Sequence, residues 1–302
     1  MKKIFEEYGF IILTCVVVIA LIGITIGVKP LMASSISNIT NSWGSEAKES
    51  LNDAWNEDGF ISKKESYIGK YADIDGNGTV DGVIFADLAF SKSGEWGNTY
   101  GFGTYSYSAN SDLKQYYVSQ KSYTDDFGTA EVIAPVSETS GNDRFYVMAL
   151  DDVGKYYDWY YSARYSISNI DNNNKKLTSI DFGTGKTNTT TMILKWNSSK
   201  YGEQNGDLSY DDQSGERGDI WGAIKTQANN GWFVPSRAEW AAFASAFSIT
   251  RSNSESYGLY YSYWSSSLSS KGKAYFASFY FGVYINDCKV DGYDGVRLAK
   301  TF

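Results

Sequence analysis

The chain has 302 residues and a formal net charge of −8, with 42% hydrophobic and 21% charged residues, 25 Tyr, 9 Trp and only 3 Pro. That composition supplies a substantial core and is the opposite of a disordered one, while the acidic balance argues against nucleic acid as a partner. There is no histidine, which excludes Ser-His-Asp and Cys-His nucleophile systems, an imidazole general base, and His-ligated zinc or haem.

From Gly9 to Val28 the chain reads GFIILTCVVVIALIGITIGV, a run without a charge. As a helix rising ~1.5 Å per residue it spans ~30 Å, the thickness of a bilayer's hydrocarbon core. Lys2 and Lys3 precede it, so the positive-inside bias leaves the N-terminus in the cytoplasm and the remainder outside. A cleaved signal peptide is the competing reading; the run is long for one, and Leu31-Met32-Ala33 is a poor cleavage site. A pilin-like helix is a third, suggested by Glu7-Tyr8 directly before the apolar run. Cys15 lies inside this run and Cys288 near the other end, so no disulfide framework exists. The expectation is a transmembrane anchor over 1–33 in the cell membrane. A helical stalk over 34–66 follows, where Ile36, Ile39, Trp43, Ala47, Leu51 and Trp55 recur at gaps of three and four.

Beyond Gly59 the texture changes to short apolar runs between Gly, Asn, Asp and Ser, and 67–302 is expected to form one domain. It opens with Asp73-Ile74-Asp75-Gly76-Asn77-Gly78-Thr79-Val80-Asp81. Asp73, Asp75, Asn77, Thr79 through its carbonyl, and Asp81 carry the spacing of a calcium loop, with glycine where the chain must turn sharply. Ile84 stands where such a loop has a bidentate Glu, and Asp87 offers a carboxylate only from a different geometry. A metal-free Asp/Asn/Gly turn is the plain alternative.

The short apolar runs read as strands, for example over 83–90, 144–150, 274–281 and 295–298. Helical spacing marks Thr189–Trp196 and Asp219–Asn229. The clearest helix start is Ser236-Arg237-Ala238-Glu239, a capping box leading into Arg237–Phe247, with Trp240, Phe243, Ala244 and Phe247 on one core-facing side. Gly183-Thr184-Gly185-Lys186-Thr187 imitates the end of a phosphate-binding loop but lacks the earlier glycine and the buried strand leading in. The acid pairs Asp151-Asp152 and Asp211-Asp212 have the residue type of a glycosidase without a sequence reason to face each other.

Three C-terminal pieces occur together: Gly231-Trp-Phe-Val-Pro-Ser-Arg-Ala-Glu-Trp240, Tyr263-Trp-Ser-Ser-Ser267 and Gly295-Val-Arg-Leu298. In combination they resemble the C-type-lectin fold in the version shared by formylglycine-generating enzymes and the variable proteins of diversity-generating retroelements. The likeness covers 215–302; the segment from Tyr67 to Asn197 is similar to surface proteins of this type in Firmicutes. The resemblance implies an α+β, C-type-lectin-like domain carried on the N-terminal transmembrane helix and helical stalk. It further implies a frame held by Trp232, Trp240, Trp264 and Arg297. The enzyme branch uses a pair of active-site cysteines, and this domain has only Cys288, so the fold is expected to bind rather than catalyse.

In the retroelement family, adenine-directed mutagenesis leaves Tyr, Ser, Asp, Asn and similar residues at solvent-facing positions. Between the fixed positions Ala274, Ala277, Phe279 and Gly282 the chain carries such a mixture, including the unpaired Cys288. The resemblance therefore implies a variable region over about 257–302. Its ligand-contacting positions are Tyr260, Tyr261, Tyr263, Ser267, Leu268, Ser269, Lys271, Lys273, Tyr275, Ser278, Tyr280, Tyr284, Asn286, Asp287, Lys289, Asp291, Tyr293 and Asp294. Tyr brings large contact area at low entropic cost, and Ser or Asn adaptable hydrogen bonds. The expected function is a surface-displayed receptor or adhesin for an extracellular protein or glycan. A pilin-like subunit carrying the same domain is the alternative.

Overall fold

The computed structural model describes residues 61–135, 140–161, 167–170, 176–198, 218–259 and 261–302. The chain divides into two units, Met1–Ser62 and Lys63–Phe302, and nearly all described residues belong to the second. The expected anchor over 1–33, and the stalk as far as residue 60, lie outside them.

Eleven strands and four helices are described. In chain order these are β1 (Tyr71–Ala72), β2 (Gly82–Asp87), β3 (Lys92–Asn98), β4 (Gly101–Tyr107), β5 (Tyr116–Asp125), β6 (Gly128–Pro135), β7 (Phe145–Asp158), α1 (Gly185–Ser198), α2 (Ile220–Ala223), α3 (Lys225–Asn229), α4 (Arg237–Ala246), β8 (Ser262–Ser270), β9 (Lys273–Ser278), β10 (Tyr284–Lys289) and β11 (Tyr293–Thr301). Nine strands form one mixed sheet in the order β10-β9-β8-β11-β7-β2-β1-β6-β5, and β3 and β4 form a separate hairpin. Within the large sheet β1–β6 and β8–β11 are parallel and the other neighbours antiparallel.

This architecture corrects the expected fold class. Of the described residues 43% are in strands and 18% in helices, the helices are short, and no helical stalk is seen; residues 61–66 are not helical. Among the described residues no helix is long and apolar enough to cross a membrane. The expected α+β, C-type-lectin-like domain therefore gives way to a domain dominated by one large mixed sheet, while the expected transmembrane helix and most of the expected stalk lie outside the described residues. The difference lies chiefly between residues 92 and 135, where four strands occur outside the runs singled out in the sequence. Segments such as KSGEWGN (β3) and YYVSQKSYTD (β5) show no clean apolar alternation. They are held by cross-strand pairing and by aromatic rings, which periodicity does not register.

Both faces of the sheet are covered. Successive strand side chains point to opposite faces, so Tyr263 and its neighbour Trp264 enter different cores. Tyr263 joins Phe85 and Met148 under α4, whose Trp240 and Phe243 meet Trp96 and Tyr105 of the β3–β4 hairpin. Trp264 joins Val296 and Leu298 against Met192 and Trp196 of α1 and Trp221 of α2.

Two buried polar devices tie distant segments together. Arg144 Nε and Nη2 donate to Asp87 Oδ1 and Oδ2 at 2.7 and 2.9 Å, with both side chains buried. Tyr67 N and Ala89 N also donate to that carboxylate, and the guanidinium carbon lies 4.9 Å from the Phe145 ring centre. Asp87 is thus fully engaged and supplies nothing to the loop at Asp73–Asp81.

The second device is the capping box of α4, formed as predicted. Fully buried Glu239 accepts from Ser236 N at 2.7 Å, Gly183 N at 3.0 Å and Gly185 N at 3.2 Å. The Gly183–Thr187 turn that imitates a phosphate loop therefore cradles the chain's own carboxylate. A Cβ on Gly185 would come within 2.2 Å of Glu239 Oε2, which explains the glycine. Burial pushes the Glu239 carboxyl up to about 7, against the pull of the amides that favour its ionised form.

Candidate ligand-binding surface and metal-binding loop

The frame behind the surface is a set of buried indoles whose N–H groups find strand carbonyls. Trp264 Nε1 donates to Tyr157 O at 2.6 Å, Trp240 Nε1 to Trp264 O at 3.1 Å, and Trp159 Nε1 to Ser265 O at 2.7 Å. Arg297 is buried, with Nε on Asp152 Oδ1 at 2.6 Å and Nη2 on Gly258 O at 2.8 Å. Trp232 is half-buried, with the Lys300 ammonium 5.7 Å from its ring centre. Asp152 also accepts from Tyr263 OH at 3.0 Å, so it is a structural acid, and its neighbour Asp151 is exposed. Asp211 and Asp212 lie outside the described residues.

The residues expected to contact ligand fall into three groups. Lys271, Lys273, Tyr280, Asn286, Lys289 and Tyr293 are exposed. Tyr261, Ser269, Tyr275, Tyr284, Asp287 and Asp291 are half-buried. Tyr263, Ser267, Leu268, Ser278 and Asp294 are buried and do not reach a surface, while Tyr260 lies outside the described residues.

Four of the five buried positions lie on β8 and β11, which run through the sheet's interior with both faces covered, so alternation along them leads from one core to another; the fifth, Ser278, ends β9 opposite Ser262 of β8. Tyr263 stacks on Trp240 with ring centres 5.3 Å apart. Ser267 Oγ donates to Ser179 O at 2.7 Å and accepts from Arg237 N at 3.1 Å. Leu268 sits in the tryptophan-rich core. Asp294 accepts from Ser262 Oγ and, at 3.8 Å, from Cys288 Sγ. Burial pushes the Asp294 carboxyl up to about 6 and, with Asp294 alongside, raises the Cys288 thiol.

β9 and β10 behave differently because β10 is an edge strand. The register places Asn286 opposite Phe276, Asp287 opposite Tyr275, and Lys289 opposite Lys273. The like charges of that last pair are relieved by Lys273 Nζ on Asp287 Oδ1 at 3.1 Å.

Sequence reasoning missed residues outside the C-terminal block that extend this surface. Tyr100 at the β3–β4 turn lies 5.9 Å from Tyr284, ring centre to ring centre. Arg237 holds the hairpin from below, donating to Phe102 O and resting 5.0 Å from the Tyr275 ring centre. Tyr156 of β7 packs at 6.0 Å on Tyr261 and at 6.3 Å on Tyr293. Phe281, not in the expected set, is the most exposed large apolar side chain among the described residues. The signal available in sequence was the aromatic tip Asn98-Thr99-Tyr100-Gly101-Phe102, whose position beside β10 only the tertiary fold reveals.

The acidic loop connects β1 to β2. Carboxylate oxygens of Asp73, Asp75 and Asp81 lie within 4.8 Å of one another. Gly76 and Gly78 hold φ of 69° and 89°, the left-handed region that glycine enters without penalty. Asn77 N donates to Asp73 Oδ1 and Asp75 Oδ1, both at 3.1 Å, Gly78 N to Asp73 Oδ2 at 2.9 Å, and Ile74 N to Asp81 Oδ2 at 2.7 Å. The side-chain oxygen of Asn77 accepts from Thr79 N at 2.7 Å. Burial, together with the neighbouring Asp75 and Asp73, raises the Asp81 carboxyl. Three hard oxygens gathered this closely form a donor set suited to a divalent cation.

Compared with known proteins, the chain matches no protein family and no curated protein.

Proposed function

We propose that the protein recognises an extracellular protein or glycan through the aromatic surface of β9, β10 and the β3–β4 turn, without chemistry. The N-terminal apolar run would display it at the cell membrane, and a retroelement would diversify the region 257–302. The observation that carries this reading is the exposure of large aromatic side chains at the β3–β4 hairpin and between β9 and β10: Tyr100 71%, Phe102 45%, Tyr280 54% and Phe281 77%. Rings of this size left in water, interspersed with Lys, Asn and Asp, have the composition of a versatile binding surface. Calcium at Asp73, Asp75 and Asp81 is proposed as a structural ion that clamps the β1–β2 loop, with Asn77 and Thr79 completing the spacing.

Sequencing codons 250–302 at this locus across a population of the source cells tests the reading. Substitutions concentrated at the twelve exposed and half-buried positions, with Tyr263, Ser267, Leu268, Ser278 and Asp294 constant, support it. A uniform sequence, or substitutions that fall on those five as often as on the rest, overturns diversification.

A further inference from the structure

A cleft of about 320 Å³ opens where the β5–β6 turn, the Leu150–Asp151 stretch of β7 and the Tyr257–Gly258 corner meet. Its size falls within the range of small-molecule sites, about 300–1,000 Å³. We propose that it binds an organic cation, an ammonium or guanidinium group, either on a small molecule or on a peptide side chain.

Two properties of the walls point to that chemistry. Asp81, Asp125, Asp126 and Asp151 contribute four carboxylates, and Tyr123, Phe127, Trp232 and Tyr257 contribute aromatic rings. An organic cation uses both together, its charge meeting carboxylate and its alkyl shell meeting ring faces. The basic groups nearby do not neutralise the acids. Arg297 borders the cleft at Gly258, but its charge is matched by Asp152 at 2.6 Å. Lys300 stands over Trp232 and acts on Asp81, one ammonium against four carboxylates.

The acids are also unequally engaged. Asp125 accepts from Tyr71 OH and, at 2.9 Å, from Phe127 N, and Asp81 accepts from Ile74 N at 2.7 Å. Asp126 and Asp151 have no hydrogen-bond or ion-pair partner among the described residues. Asp81 belongs to the acidic loop as well, so a divalent ion held there would neutralise one wall of the cleft and leave the other three charges in place. Apart from the corner at Tyr257–Gly258 the walls lie outside the region proposed to vary, so this site would be constant while the aromatic surface changes.

Titration calorimetry and tryptophan fluorescence on the full chain test the proposal. The probes are tetramethylammonium and arginine amide, with neopentyl alcohol and glucose as neutral controls, in calcium and in chelator. Saturable binding of the cations alone is expected, weakened at least tenfold in Asp126→Asn/Asp151→Asn and lost in Trp232→Ala. The double Asn variant keeps the wild-type melting temperature, since both side chains are exposed and unpaired. Absence of saturable cation binding, equal binding of a neutral control, or unchanged affinity in the double Asn variant overturns the proposal.

Discussion

Removing Arg144 should reveal how much a buried charge costs this domain when its partner is taken away. In Arg144→Met the Asp87 carboxylate keeps the amides of Tyr67 and Ala89 but loses both guanidinium donors, at 2.7 and 2.9 Å. Orphaning one member of a buried pair typically costs about 3–5 kcal/mol. At ~2–4 °C per kcal/mol for a domain of this size, the melting temperature should fall by ~6–20 °C, checked by calorimetry and urea unfolding. Most of that loss should be the uncompensated charge rather than the missing contacts. Arg144→Met/Asp87→Asn should therefore recover about 1–3 kcal/mol relative to Arg144→Met alone.

A double variant no more stable than Arg144→Met would refute the reasoning.

The remaining expectations concern the other devices. Because burial raises Glu239 from 4.5 to about 7, its protonation stabilises the fold fully below pH 4.5, and about 3 kcal/mol is lost as pH rises to 7. Urea titrations should show that slope, with a smaller share from Asp294, and Glu239→Gln should flatten its part; an unchanged slope in the variant contradicts the assignment. Millimolar calcium should raise the melting temperature relative to chelator, by the equivalent of about 2.7 kcal/mol at a hundredfold excess over Kd, and Asp75→Asn should abolish the shift while leaving the calcium-free protein unaltered. Tyr263→Ala should cost about 3–5 kcal/mol, whereas Phe281→Ala and Tyr280→Ala should stay within about 0.5 kcal/mol; comparable losses at all three would mean that the exposed rings are part of a core.

What was legible in the sequence was local chemistry. Ser236 and Glu239 announce a helix start because a capping box is a contact between residues three apart, and the carboxylates of Asp73, Asp75 and Asp81 converge because their spacing matches a tight turn. What was not legible depended on the number of layers. Ser267 stands among the positions expected at the ligand surface, yet it and its neighbours Ser265 and Ser266 are buried; Ser266 Oγ, for example, accepts from Asn188 Nδ2 at 3.2 Å. Polar residues enter an interior when tertiary partners wait there, and those partners are 78 residues away in the chain. β3 to β6 were hidden for a related reason, since their strands are held by cross-strand partners rather than by a clean apolar alternation along the chain, whereas the helices expected at 189–196, 219–229 and 237–247 are found in α1, in α2 and α3, and in α4.

β11 closes the region proposed to vary, and only its first two residues, Tyr293 and Asp294, belong to the expected ligand set; the strand lies mid-sheet between β8 and β7, and just beyond it the backbone of Phe302 bonds to Arg144 and Phe145. A frameshift or premature stop introduced anywhere upstream would delete the strand on which two sheet neighbours depend, leaving unpaired edges and an open core. Reading-frame errors would thus be discarded at the folding step, as substrates for proteolysis. Missense changes on β9 and β10 would pass, so the order of strands along the chain acts as a proofreader of whatever variation reaches the surface.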